Sequence, residues 1–220
     1  WITAEGLYLA VLLFWMAAIL VVLVIQTVSL NRKVRGSEVK FTRLAGQHQR
    51  LSEKAKTLKE AAEKDSLSGL LNRRGLELAF ERLRQTGMPM ALLLMDIDHF
   101  KRINDRRGHN EGDRIIQQMA KVLSSNTREQ DVVARWGGEE FIILCVATQS
   151  EQAEALAEKI RNKIFQTEFD ENKPLAITAS FGVASFINEE ALTSVLERAD
   201  HALYEAKAQG RNCTVVAPTT

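Results

Sequence analysis

Residues 132–146 read VVARWGGEEFIILCV. Two runs rich in β-branched and aromatic residues flank a Gly-Gly pair, the pattern of two antiparallel strands joined by a glycine turn. A second run, MALLLMDID at 90–98, follows Pro89 and stays apolar until its closing acids. It reads as a strand buried on both faces. Upstream lies DSLSGLLNRRGLELAFERLRQ, residues 65–85, a turn followed by apolar residues at helical spacing: Leu76, Leu78, Ala79, Phe80 and Leu83. Residues 110–125 are expected to be helical, with Ile115, Ile116, Met119, Ala120, Val122 and Leu123 on the apolar side. Residues 151–167 read as another amphipathic helix, 175–186 as a strand, 189–209 as a helix ending at Gly210, and 213–217 as a last short strand. Helix, strand, helix, hairpin, helix, strand, helix, strand is the order of an α+β sandwich with a mostly antiparallel central sheet.

The first 64 residues obey a different grammar. Residues 1–30 carry one charge, Glu5, and none lies between Gly6 and Ile25. About 20 apolar residues suffice to cross a bilayer as a helix. A signal peptide would place its positive charges before such a run, whereas Arg32, Lys33 and Arg35 follow it. The expectation is a single transmembrane helix in residues 1–30, spanning about 6–25. The positive-inside rule then puts residue 31 onward in the cytoplasm and Trp1 outside. The chain opens on Trp1 rather than Met, which suggests a piece of something longer.

Residues 31–64 hold ten Lys or Arg and four Glu, a net +6, so residues 65–220 carry −4 of the total +1. A mildly acidic domain argues against a broad nucleic-acid footprint, and the basic stretch suits anionic lipid head groups. Leu30, Val34, Ser37, Phe41, Leu44, His48, Leu51, Ala55, Leu58 and Ala62 alternate at spacings of four and three. That is a coiled-coil seam. Residues 31–64 are therefore expected to be a cytoplasmic signalling helix, which counted from Gln26 to Lys64 would stand about 60 Å tall, pairing two copies of the domain at 65–220. Cys145 and Cys213 lie in strand-like runs outside any Cys/His cluster and read as buried free thiols in a reducing compartment.

Three clusters carry candidate chemistry. In MDIDHFKRINDRRGHNEGD, 95–113, Asp96 ends an apolar strand, a costly place for an acid unless it is hydrogen-bonded or holds a cation. Asp98 is placed on the opposite face. The loop-to-helix entry beyond it offers backbone N–H groups suited to phosphate oxygens. In RWGGEEF, 135–141, the glycines allow close backbone approach, and one of Glu139 and Glu140 can meet Asp96 on a neighbouring strand. Converging carboxylates beside phosphate-binding backbone form a Mg²⁺ site for phosphoryl chemistry. A third cluster, Arg128-Glu129-Gln130-Asp131, precedes the hairpin.

DSLSGLLNRR, MDIDHFKRINDRRGHNEGD, RWGGEEF, SFGVA and YEAKAQGRN, in this order and spacing, resemble GGDEF-domain diguanylate cyclases over about residues 65–217. The resemblance implies a fold close to class III nucleotide cyclases. It implies condensation of two GTP into cyclic di-GMP with release of pyrophosphate, by a homodimer holding one GTP per subunit. Asp96, the Ile97 carbonyl and Glu139 then look like Mg²⁺ ligands, with Glu140 able to share the metal. Mn²⁺ is a possible substitute, because oxygen ligands suit both. Glu139 matches the proposed proton acceptor for the ribose 3′-hydroxyl. Asn104 and Asp113 resemble the pair that reads the guanine edge, and His109 a further substrate contact. Lys101 and the Phe100 N–H would stabilise phosphate charge, and Lys207 and Arg211 would contact the triphosphate. Arg128 and Asp131 match the RxxD site where the product inhibits, with Lys159 on the next helix. The implied setting is bacterial signal transduction of the kind linked to biofilms, at the inner (cytoplasmic) membrane, gated by an upstream sensor. Two departures stand out, Ser68 where Thr is common and Trp136 where a smaller residue is frequent.

Overall fold

The structure is a computed structural model that describes residues 4–169, 175–187 and 190–218. The elements run α1 (Ala4–Glu63), α2 (Arg73–Arg84), β1 (Met90–Ile97), α3 (Phe100–Arg107), α4 (His109–Asn126), β2 (Val132–Arg135), β3 (Glu140–Val146), α5 (Ser150–Phe165), β4 (Ala179–Ser185), α6 (Leu192–Ala208) and β5 (Thr214–Val216). They fall into two compact units, Trp1–Thr57 and Leu58–Thr220.

The described residues of the first unit are helical. Within it Val11–Arg32 has a mean hydropathy of 2.7 and is long and apolar enough to cross a membrane. Its large side chains, Phe14, Trp15, Leu20 and Ile25 among them, are exposed. Trp1 lies outside the described residues. So do the side chains of Val34, Ser37, Phe41, Leu44, Ala55 and Leu58 from the expected seam.

The second unit is built on β1. Its eight residues are all buried, because it is the middle strand of a five-stranded sheet ordered β2-β3-β1-β4-β5. All pairings are antiparallel except β4–β5. Alternation along β1 divides the core in two. Leu93, Met95 and Ile97 pack with Ile115, Met119 and Ile160 of α4 and α5. Leu92 and Leu94 pack with Leu76, Phe80, Val195 and Leu203 of α2 and α6. Each such fully buried side chain contributes about 1.5–3 kcal/mol. Asp96 falls on the second of these faces, toward α6.

The α+β sandwich expected from the sequence is the one observed. One element differs: residues 100–107 form a helix of their own, separated from α4 by Gly108 at φ +85°. FKRINDRR buries only Phe100, too little apolar periodicity to announce a helix. Strand β4 begins at Ala179 rather than 175. Cys145 is buried, and burial first, then the Asp131 charge, push its thiol up to about 12. Cys213 is only partly buried, contrary to the sequence reading, and its thiol donates to the Ala206 carbonyl at 3.3 Å.

The entry to the domain is tied down closely. The Asn72 side chain caps α2 by accepting from Gly75 N–H at 2.9 Å, and its amide donates to the Ala62 and Lys64 carbonyls at 2.9 and 3.1 Å. Those carbonyls at the end of α1 would otherwise lack partners. A Cβ on Gly75 would strike the Glu63 carbonyl, so glycine there lets α2 start against the end of α1. Leu71 then bridges to the free edge of β2: its N–H donates to Val133 and its carbonyl accepts from Arg135 N–H. This covers an edge that would be open to pairing with another chain.

Candidate active site

The carboxyl end of β1 gathers the chemistry. Asp96 is the register partner of Glu140 on β3 and of Ser180 on β4. Directly opposed residues share a face, so it is Glu140, rather than Glu139, that stands across from Asp96. Glu139 sits in the turn just before β3, its carbonyl accepting from Ile97 N–H at 3.3 Å. Gly137 makes room for the Glu140 carboxylate: a Cβ there would lie 2.6 Å from Glu140 Oε2. Lys207 of α6 reaches over the face, its Nζ 2.9 Å from Asp96 Oδ2.

The electrostatics follow from this crowding. Burial pushes the carboxyls of Asp96, Glu139 and Glu140 above the ordinary range. The Asp96 charge raises both glutamates further, while Lys207 pulls all three down. Arg211 also acts on Asp96. The cluster holds more negative charge than its lysine offsets, and its donors are hard oxygens. Both properties fit a small divalent cation. Among the described residues, no three His, Cys, Asp or Glu side chains form a ready cage. The expected set, Asp96, the Ile97 carbonyl, Glu139 and Glu140, includes three carboxylates, and the described side chains do not bring those three together as such a cage.

Asp98 is not on the opposite face from Asp96. Its carboxylate accepts from Ser180 Oγ at 2.7 Å, and Ser180 is the β4 partner of Asp96. A period of two keeps i and i+2 on one side, and the Asp98 charge raises the Asp96 carboxyl.

Beyond β1, His99 adopts φ +58° and turns the chain into α3, whose first turn carries Phe100 and Lys101. The first N–H groups of a helix have no intrahelical partner. Lys101 is exposed. Asn104 lies against Gly112, where a Cβ would strike Asn104 Oδ1. This close approach of α3 to α4 leaves Asn104 Oδ1 buried without a hydrogen-bond partner, and Asp113, next in the chain after Gly112, is exposed. His109 opens α4 and is exposed.

Arg128 and Asp131 face a cavity of about 290 Å³, also lined by Thr148, Gln152 and Lys159. Asp131 is structurally committed: it accepts from Arg128 N–H at 2.9 Å and Val146 N–H at 3.2 Å.

Sequence reasoning missed Arg135. Its Nη1 donates to both Asp65 oxygens at 3.1 and 3.3 Å, and its Nη2 donates to the Gly138 carbonyl at 2.8 Å. It thus links the start of the domain to the turn that carries Glu139. Asp65 also accepts from the Ser68 N–H and hydroxyl, so serine keeps the turn that threonine commonly makes. Burial alone would raise the Asp65 carboxyl, but Ser68 and Arg135 outweigh it and hold it low. Trp136 has a local cause too, the Arg73 guanidinium 4.4 Å over its ring. Replacing Arg135 with Ala is expected to cost about 1–3 kcal/mol of stability, read from the urea midpoint. Lys is expected to recover little, because it lacks the planar fork. Since the Asp65 pKa is lowered on folding, this tie contributes above the ordinary carboxylate range and fades as pH falls through the lowered value.

The model for the family "Diguanylate cyclase, GGDEF domain" matches residues 62–213, and the chain belongs to that family. Among curated relatives, diguanylate cyclase DgcP of Pseudomonas aeruginosa is 43% identical over 158 residues, 70% of this chain and 24% of its own. The chain thus spans about a quarter of that relative's length. The coiled coil and GGDEF domain of DgcB from Caulobacter crescentus, solved in complex with c-di-GMP, matches with a TM-score of 0.73 and 31% identity. It covers 82% of this chain and 98% of that one. The active GGEEF domain of a diguanylate cyclase from Vibrio cholerae matches at TM-score 0.63 and 36% identity, over 69% and 99%.

Proposed function

We propose that residues 65–217 condense two GTP into cyclic di-GMP, releasing pyrophosphate, as a homodimer with one GTP per subunit. The observation that carries this reading is Asp96 standing opposite Glu140 at the end of β1, with Lys207 on Asp96 and Glu139 in the adjoining turn. A Mg²⁺ ion, with Mn²⁺ as a substitute, would be held by Asp96, the Ile97 carbonyl, Glu139 and Glu140. When bound it neutralises phosphate charge. Asn104 and Asp113 orient guanine, and a carboxylate accepting from its N–H groups rejects adenine, which cannot supply them. His109 adds a substrate contact. The Phe100 N–H and Lys101 stabilise charge growing on the α-phosphate, while Lys207 and Arg211 hold the triphosphate. Glu139 takes the proton of the 3′-hydroxyl. One domain holds only half of the reactants, so the step needs two domains face to face.

Domain organisation follows the same reading: a membrane span within residues 1–30, a coiled-coil signalling helix over 31–64 and the cyclase over 65–220. The apolar run and the basic residues after it support a single span with the catalytic domain in the cytoplasm at the inner membrane. The DgcB match, which includes a coiled coil, supports pairing through the linker. The Asp65–Arg135–Gly138 tie supports gating by an upstream sensor, because a shift of the linker end would reach the GGEEF turn. Arg128 and Asp131, with Lys159 in the same cavity, would take the product and inhibit.

The test uses the full 220-residue chain in detergent with GTP and Mg²⁺, read by mass, beside Glu139→Ala. Cyclic di-GMP from the parent and none from the variant is the expected result. No product at protein concentrations that force dimers would favour a cyclic di-GMP-binding module working through Arg128.

A further inference from the structure

The proposed chemistry leaves Asp98 without a task, yet it is among the most thoroughly bonded side chains in the domain. It is 4% exposed. Ser180 Oγ donates to its Oδ1 at 2.7 Å, and Thr178 Oγ1 and the Asn212 N–H donate to its Oδ2 at 2.7 and 3.0 Å. Both oxygens are engaged by donors from β4, from the residue just before it and from the loop after α6, so the buried carboxyl is satisfied by hydrogen bonds. The carboxylate has the look of a fastening, unlike Asp96, which meets the long side chain of Lys207.

What it fastens is unusual backbone. Arg211 and Asn212 adopt φ +67° and +47°, two consecutive non-glycine residues in the left-handed region, directly after Gly210 at φ +114°. Such residues persist only where their surroundings over-determine them. Here the Arg211 N–H donates to the Ala206 carbonyl, the Asn212 N–H to Asp98, and the Asn212 side chain accepts from Arg161 Nη1 at 2.8 Å. Arg161 is itself gripped by Glu158. The turn places Arg211 near enough to Asp96 for its charge to act on that carboxyl.

We propose that Asp98 is a positioning residue for the substrate phosphates: it pins the Arg211–Asn212 turn so that the Arg211 guanidinium stands over the triphosphate. This rests on the reading of Arg211 as a phosphate contact. Asp98 binds neither substrate nor metal and acts wholly through that loop.

The experiment measures KM for GTP, and Ki of inorganic tripolyphosphate at fixed free Mg²⁺, on the full chain in detergent. The variants are Asp98→Ala, Asp98→Asn, Arg211→Ala and Asp98→Ala/Arg211→Ala, with melting curves to establish the folded fraction. Arg211→Ala and Asp98→Ala are each expected to weaken tripolyphosphate by about tenfold to a hundredfold, the range for losing a charge-assisted hydrogen bond. The double variant is expected to add less than about twofold, because both changes remove one interaction. Asp98→Asn keeps an acceptor for the Asn212 N–H and is expected to fall between parent and Ala, which serves if Ala folds poorly. An unchanged Ki in both Asp98 variants, with Arg211→Ala weakened, overturns the role of Asp98 and leaves Arg211 standing. Fully multiplicative losses overturn it as well. An unchanged Ki in Arg211→Ala overturns the phosphate reading itself, and this proposal with it.

Discussion

Asp96→Asn is expected to lower cyclase turnover on the order of a thousandfold or more while leaving the protein folded and no less stable at neutral pH. Loss of the acid that meets Glu140 across the sheet removes charge where a cation and the reacting phosphates would sit, worth several kcal/mol in the transition state. The stability half follows from the direction of titration. Burial first, and the neighbouring Asp98 charge, raise the Asp96 carboxyl, against the pull of Lys207 and Arg211. A carboxyl raised on folding stabilises the fold fully only below its ordinary pKa, and that contribution is lost as pH rises through the raised value. At pH 7 the parent therefore carries a destabilising anion that Asn does not. Melting temperature should favour the variant at pH 7, with the gap closing as pH is taken down to about 4. A variant that melts well below the parent at pH 7 would show that Asp96 holds the fold together.

The second large effect is structural. Gly182→Val should destabilise the domain by about 3 kcal/mol or more, read from urea unfolding. β4 and α6 meet so closely at this point that a Cβ would strike the Ala199 carbonyl and lie 2.5 Å from Leu203 N and 3.0 Å from Leu203 Cβ. The first two obstacles are backbone, so no rotamer change relieves them. Gly112 is a useful contrast, since the nearest atoms there belong to the Asn104 side chain. Gly112→Ala should then disturb the Asn104 corner, proposed above to read guanine, more than the fold. If Gly182→Val unfolds at the parent's urea concentration, α6 is free to withdraw from the sheet and Val195 and Leu203 do not hold it there.

The parts of this molecule that were legible in its sequence are those governed by short-range pattern. The apolar run of β1, the glycine turn at 137–138 and the helical spacing after residue 72 each announce themselves within a dozen residues. Pairing between distant segments left weaker marks. Nothing local to Asp65 or Arg135 says that they join across 70 residues, although an arginine heading two glycines is a hint. Helix α3 was missed because it buries one side chain. The face assigned to Asp98 was an error of register arithmetic: a second acid two places after Asp96 had to share its side. That it bonds Asn212, 114 residues on, was beyond any local signal. Which glutamate opposes Asp96 depended on where β3 begins, and a one-residue shift exchanges the faces.

The place of β1 has one more consequence. It is hydrogen-bonded on both sides and sheathed by helices, so its amides open only when the whole sheet comes apart. Hydrogen–deuterium exchange at residues 91–96 should therefore report the global unfolding free energy, while β5, three residues long and half-buried at the rim, exchanges sooner. Asp96 is thus mounted on the most slowly opening segment of the domain and Arg211 on the loop leading into one of the quickest. A nucleotide bridging the two would draw the rim into the slow class, and a slowing of β5 amides on adding GTP would show that directly.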